Sequence, residues 1–555
     1  MNERQSPWTW LGLVGAGLAF SVLFVHVPAA LWVGNLTELH LSIGRVLSLG
    51  LAIAVVGTAL FVLVLRRLSD HVRSVVASLA GACGVIEWTY GLVLVGGMQV
   101  LDGVRDPWGV SQSFGLWELA FVIAVWLVLA ALFRRRPREA AFGLTVLNGG
   151  LMVVSLATLL TTHRIDWTTQ SDPEPVSRFS SRMNVLVLLL DGLESGVAER
   201  VLEADPSLKA SFDGFSFYPD TLSTAPTTAL SLPAIHSGEV YDGTSAARDY
   251  FSNAIRRRSF LTQFAHAGYE VSLVHPEQGT CPEALTTCTT VASVLGTSDR
   301  QARREVLRLF DLSLFRIAPF WAKRWVWNQG RWRASRQAGV PEEAARLLES
   351  NDMTDRIGEQ LTVDPKTPPT VKFLHSLATH TPYVMNEDCR TVTLEHSALS
   401  GVYVQARCAL KATARLLDRL QGAGIYDNTI ALVLADHGLN PGVYPESPDG
   451  GSAFRRLYGS ANPLFLYKPL HSRGPMRTER AVVSLVDVGA TLCAEASGCT
   501  MRLGIPVGRA PAGRPRRFND YVWQHQFWRL LNVPRVTPYE VRGPLGRRHS
   551  WHRLR

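Results

Sequence analysis

Four short stretches carry residue types that could do chemistry together. In NVLVLLLDG an apolar run from Asn184 ends on Asp191, and in LVLADHG a second run ends on Asp436 and His437. The carboxyl ends of strands in open α/β sheets line the ligand crevice, so two such ends would gather an Asp, an Asp and a His. Carboxylate oxygen with imidazole nitrogen suits a divalent metal, Zn or Mn first, with Mg and Ca less favoured because of the His. In APTTALSLPAIHSG, Pro226 and the hydroxyl cluster precede an apolar helical stretch. That places Thr227 or Thr228 at a helix N terminus, a position that attracts anions such as phosphate. A threonine hydroxyl is a poor nucleophile at neutral pH and needs a metal to lower its pKa. In LHSLATHTPY, His375 and His380 follow a further strand. One is suited to general acid duty or to holding a phosphoryl oxygen, the other to a structural role.

The elements that must position these residues follow from hydrophobic pattern. Asn184 to Leu190 reads as a buried parallel strand. Glu270 to Val274, Thr370 to His375, Thr429 to Ala435 and Pro463 to Tyr467 read as further strands, separated by segments of helical period. Such alternation predicts a doubly wound α/β domain with a largely parallel sheet. Between His396 and Leu420, apolar residues at three- to four-residue spacing predict a helix leading into the strand at Thr429.

Ahead of that domain, five apolar stretches (Trp8 to Val33, Ile43 to Leu65, Val75 to Val100, Phe114 to Phe133 and Ala141 to Leu160) each have about the 20 residues needed to cross a bilayer. The first is long, carries little N-terminal charge and leads into four more, so it reads as a retained anchor. Arg66, Arg67 and Arg73 lie between the second and third stretches, and Arg134, Arg135, Arg136 and Arg138 between the fourth and fifth. Loops rich in Arg stay in the cytoplasm, which puts everything after Leu160 outside it. Glu87 and Glu118 fall within or at the edge of two spans; they are expected either to face the bundle or a substrate headgroup, or to sit at the interface (Glu118) and be neutral or hydrogen-bonded to a neighbouring helix (Glu87). Of seven cysteines only Cys83 lies in a span; Cys281 and Cys288, Cys389 and Cys408, and Cys493 and Cys499 are three sequence-local pairs, expected as disulfides in an oxidising compartment.

Composition sets the limits. The chain has 555 residues, 47% hydrophobic and 19% charged, which excludes a disordered or collagen-like protein. Formal charge is +9, but residues 502 to 555 carry twelve Arg against Asp520 and Glu540, so the remainder is near neutral and no nucleic-acid partner is implied. Residues 303 to 336 combine nine Lys or Arg with Trp321, Trp325, Trp327 and Trp332. That mix suits a bilayer headgroup region, or a basic surface helix with partly buried Trp. The expected organisation is a transmembrane domain of five helices over 1–165, a linker over 166–183, a catalytic domain over 184–515 and a basic C-terminal tail over 516–555.

Together these motifs resemble the alkaline phosphatase superfamily, in its sulfatase-like branch of membrane-bound phosphoethanolamine transferases and lipoteichoic acid synthases. The resemblance runs over about residues 184 to 500. It implies metal ligation by Asp191, Thr228, Asp436 and His437, with Thr228 in TALSLP as nucleophile, His380 in THTPY as acid or base, and Asp487 in VVSLVDVGATL as a structural residue. Two departures stand out. Sulfatases carry a Cys or Ser in a C/S-x-P-x-R string, whereas the stretch from Thr228 has neither that Pro nor that Arg, which disfavours sulfate-ester hydrolysis. The transferases carry a further His soon after the Asp-His pair, and Leu439 to Pro463 contains none; Arg455, Arg456 or Tyr458 could contact phosphate instead. The resemblance implies a transferase of the bacterial cytoplasmic membrane, its catalytic domain in the periplasm. It would move a phosphoryl headgroup, phosphoethanolamine or phosphoglycerol, from a phospholipid donor to an envelope glycan or lipid acceptor. A phosphodiesterase or phosphatase with the same intermediate, and an inactive membrane-bound scaffold, are the alternatives.

Overall fold

A computed structural model of the chain describes residues 6–34, 43–94, 115–162, 172–276, 279–328, 332–335, 342–390, 401–439, 451–511, 513–522 and 533–554. Parts of the expected third and fourth spans, of the linker, of the helix before Thr429 and of the segment after the Asp-His pair lie outside these residues.

Two compact units make up the chain: one of residues 1–166 with 299–342, the other of 167–298 with 343–555. In the first, five helices are long and apolar enough to cross a membrane: Pro7–Val33, Val46–Arg66, Asp70–Val93, Trp117–Arg135 and Pro137–Thr158. Small residues let them approach closely. A Cβ on Gly15 would stand 2.7 Å from the Gly81 backbone nitrogen, so the first and third helices meet there backbone to backbone. Of the two half-buried acids, Glu87 accepts from the Cys83 thiol at 3.4 Å, and Glu118 accepts from the Tyr90 hydroxyl at 2.8 Å.

The second unit is built on an eight-stranded sheet. Its strands are β1 (Asn184–Leu190), β2 (Ser216–Phe217), β3 (Glu270–His275), β4 (Thr287–Thr290), β5 (Thr370–Ser376), β6 (Thr429–Leu434), β7 (Phe465–Lys468) and β8 (Arg477–Thr478). Their order across the sheet is β8-β2-β7-β6-β1-β5-β3-β4, and β7 alone runs against the rest. The largely parallel sheet is thus as expected, with β1 at its centre. After Asn184, β1 is apolar at every position because both faces are covered: Leu186, Leu188 and Leu190 join one core, Val185, Val187 and Leu189 the other. Leu410 and Leu417 of the helix Gly401–Gly422 close the first face, and Leu232 and Ile235 of the helix Thr228–Ser237 the second. Full burial of each such side chain stabilises the fold by roughly 1.5–3 kcal/mol, which holds the strand ends in place.

Residues 516–555 read from sequence as a basic tail, but the described ones are folded. Arg516–Asp520, Thr537–Val541 and Trp551–Arg553 form a three-stranded antiparallel sheet whose Phe518, Val541 and Trp551 are buried with Phe454 and Leu457. Arg516 is buried as well, its guanidinium donating to the carbonyls of Asp220, Val483 and Gly543. Arg516 thus cross-links three backbone segments.

Candidate active site

β1 and β6 are adjacent and parallel, so their carboxyl ends deliver Asp191 and Asp436 side by side, both buried. Gly192 turns the chain immediately after Asp191 with φ +70°, and a Cβ there would stand 3.4 Å from the His437 ring. Its N–H donates to Asp436 Oδ1 at 3.2 Å. The Ser223 hydroxyl holds the Asp436 carbonyl at 2.6 Å, and that of Thr379 holds the Asp191 carbonyl at 2.8 Å. The two carboxylates are therefore fixed through their own backbones.

The helix Thr228–Ser237 brings its N terminus to this point, with Thr227 extended as the preceding residue. The two threonines face different partners. Thr228 Oγ1 donates to Asp191 Oδ2 at 3.2 Å and lies 3.5 Å from His437 Nε2, whereas the Thr227 hydroxyl pairs with the Tyr521 hydroxyl. Tyr521 belongs to the C-terminal layer, 294 residues away in sequence, and no local pattern marks it. His437 Nδ1–H donates to the Gly438 carbonyl at 2.7 Å, which turns Nε2 towards the acids. Nε2 is 3.6 Å from Asp191 Oδ1 and 3.7 Å from Asp436 Oδ2.

Of His375, the penultimate residue of β5, and His380, beyond it, His375 touches the cluster. Its Nε2 is 3.0 Å from Asp191 Oδ2. His380 is exposed, and its ring bonds to the Thr381 carbonyl at 2.6 Å, not to Asp191, Thr228 or His437. Gln405 anchors the loop that carries it, donating to the His380 carbonyl at 2.7 Å and accepting from the Val384 N–H at 2.9 Å. A disulfide between Cys389 and Cys408 ties the same loop to the helix Gly401–Gly422. The other expected pairs, Cys281 with Cys288 and Cys493 with Cys499, are also joined. Arg455 is exposed, and Arg456 is paired to Asp520 at 3.0 and 3.2 Å. Asp487, as read, is structural: it accepts from the backbone of Ser484 and Ile505 and pairs with Arg514.

Charge explains what the cluster is suited to hold. Burial penalises a charged Asp191, but the His375 hydrogen bond and the charges of His380, His437 and His375 outweigh it and hold the carboxyl below the usual range. Burial likewise opposes a charged His437, yet Asp436, Asp191 and the Gly438 carbonyl raise its pKa. Asp191 Oδ1 is buried with no hydrogen-bond partner. One ligand atom each from Asp191, Asp436 and His437 lies within 4.8 Å of the others. Two buried carboxylates, an orphaned oxygen and an imidazole nitrogen facing them fit a divalent cation, whose charge would take the place of the proton that the acids favour on His437. A second group, His275 with Cys281 and Cys288, is as close, but both its sulfurs are spent in a disulfide.

A family model described as Sulfatase matches residues 183–498, more than half of the chain. No curated protein matches. Among solved structures the chain is similar to a protein in the alkaline phosphatase superfamily from Vibrio parahaemolyticus, at 12% identity over 68% of this chain and 84% of that one, with a TM-score of 0.40. It is also similar to a phosphonate monoester hydrolase from Silicibacter pomeroyi (12%, 65% and 89%, TM-score 0.39) and to the lipoteichoic acid synthase LtaP from Listeria monocytogenes (10%, 70% and 90%, TM-score 0.35).

Proposed function

The chain belongs to the sulfatase family of the alkaline phosphatase superfamily, and on that premise we propose that it is a membrane-anchored phosphotransferase using Thr228 as nucleophile. The observation that carries this reading is the Thr228 hydroxyl, 3.2 Å from Asp191 and 3.5 Å from His437 at a helix N terminus. A sulfatase would have a Cys or Ser there for conversion to formylglycine; threonine cannot be so converted, while its hydroxyl can take a phosphoryl group.

Asp191, Asp436 and His437 would hold the cation, Zn or Mn by the chemistry of the donors. When bound, it supplies Lewis acidity that lowers the hydroxyl pKa and neutralises developing oxygen charge. Thr228 Oγ1, its proton released to solvent, attacks the donor phosphorus, forming an O–P bond as the bond to the diacylglycerol oxygen breaks. The helix N terminus faces the added negative charge. His380, exposed beside the site, gives the leaving oxygen its proton and takes one from the incoming acceptor hydroxyl, whose attack frees Thr228. His375 keeps Asp191 oriented through its 3.0 Å contact.

The donor in this reading is a phospholipid carrying phosphoethanolamine or phosphoglycerol, and the acceptor an envelope glycan or lipid. The Arg-rich loops and three disulfides support a bacterial cytoplasmic membrane with the site on its outer side. Diacylglycerol release from phosphatidylethanolamine and phosphatidylglycerol by the reconstituted, metal-loaded protein tests it. Release that falls by roughly 10³-fold in Asp436→Asn supports transfer through this site. A metal-loaded protein that releases none from either lipid contradicts it.

A further inference from the structure

The helices Ser298–Ile317 and Phe320–Trp327 interrupt the α/β unit in sequence but belong with the apolar helices in space. Their described contacts gather at one end of the bundle. Phe310 stacks on Phe24 at 5.6 Å, and Leu309 packs with Val46. Ile317 fits against Gly91, where a Cβ would come within 3.1 Å of it. The second helix is held by its N terminus: Phe320 and Trp321 N–H groups donate to the Glu118 carboxylate at 3.0 and 3.3 Å. Phe24, Val46, Gly91 and Glu118 all lie towards the span ends remote from the loops carrying Arg66, Arg67 and Arg134–Arg136.

The outward side of this pair is aromatic and basic. Trp321 and Trp325 are 49% and 63% exposed, and Arg333 stacks on the Trp325 ring at 4.7 Å. On the span that supplies Glu118, the neighbouring Trp117 and Phe121 are 80% and 67% exposed, so the apolar band continues from one to the other. Indoles beside cations, at the end of a bilayer-spanning bundle, match the interfacial layer where aromatic rings meet headgroups. Residues 299–335 carry nine Lys or Arg against three acids, and two of those, Glu305 and Asp311, are buried. Asp311 is taken up by the backbone N–H groups of Arg333, Ala334 and Ser335. Among the described Arg residues of this segment, Arg316 alone has an Nε that is shielded from solvent without a hydrogen-bond partner. Beside it the Lys323 ammonium is pinned to the carbonyls of Phe315 and Arg316. With the Glu118 carboxylate beside Lys323, the half-buried Arg316 guanidinium is the cation suited to a phosphate.

We propose that this helical pair seats in the headgroup layer and binds an anionic phospholipid, with Trp321 and Trp325 at the interface and the lipid phosphate on Arg316. The binding does not depend on the transfer chemistry. Native mass spectrometry of the full chain, released from micelles doped with phosphatidylglycerol or phosphatidylcholine, reads the selectivity. Wild type should retain phosphatidylglycerol preferentially, Arg316→Gln should cut that preference about fivefold, and Arg316→Lys should keep most of it. A spin label at Trp325→Cys, in a Cys83→Ser background in bilayers, should report headgroup depth. Equal selectivity in wild type and Arg316→Gln overturns the lipid site, and a label in bulk water overturns the interfacial seat.

Discussion

Thr227 and Thr228 are neighbours of the same type, and only geometry separates them. Sequence pattern alone left either at the helix N terminus; the structure turns one hydroxyl to Asp191 and the other to Tyr521. The Asp191, Asp436 and His437 set was legible because each ends a buried strand. His375 was legible as a pair with His380 but not as the member that touches Asp191, since that depends on β5 lying directly beside β1. A residue that orients a metal-binding carboxylate acts on affinity more than on the fold. His375→Ala is therefore expected to weaken Zn or Mn binding by roughly 10–100-fold. Competition against a chromophoric chelator checks this, and unchanged affinity would remove His375 from the site. Tyr521, Ser223 and Gln405 carry no sequence signal at all, because each acts across hundreds of residues or on backbone groups.

At the scale of elements, β1, β3, β5 and β6 stood out as short apolar runs, and their predicted bounds differ from the observed ones by a residue at most. β7 begins two residues after its expected start at Pro463, because Leu464 is used to bridge Leu193 and Ala435 through the backbone. The C-terminal strands escaped notice for a physical reason. Twelve Arg suggest solvent, whereas Arg516 donates to three carbonyls and its neighbours pack Phe518 and Trp551. The disulfide between Cys389 and Cys408 spans a sequence separation of 19 and steadies the His380 loop. Replacing both cysteines with Ser should cost about 2–4 kcal/mol of stability by the loop-closure argument. It should also lower kcat more than it raises KM, because the loop presents a proton-transfer group and not a binding surface. Thermal unfolding in detergent and steady-state kinetics check the two parts.

For the whole molecule, two buried imidazoles set an acid limit. His236 is held down to about 3 by burial and then by the charges of His275 and His375. Burial and His375 likewise bring His275 to about 3, the backbone at Thr280 offsetting only part. The unfolded chain titrates these rings near 6.5, so below that pH it binds protons that the folded chain does not. Their contribution is whole above pH 6.5 and is lost as the pH falls towards 3, at on the order of 1 kcal/mol per pH unit for each ring. The unfolding temperature should accordingly drop between pH 6.5 and 5, and less steeply in His236→Gln. A pH-independent midpoint in that window would contradict the neutral, buried state of both.

The central claim is that Thr228 carries the phosphoryl group, and mass spectrometry of the full chain tests it most directly. After incubation of the metal-loaded protein with phospholipid bilayers and an acid quench, wild type is expected to gain the mass of one phosphoryl headgroup. Peptide mapping should place it on Thr228, and Thr228→Ala should show neither the adduct nor diacylglycerol release. An alanine variant that still turns over lipid, or an adduct on another residue, would contradict the account.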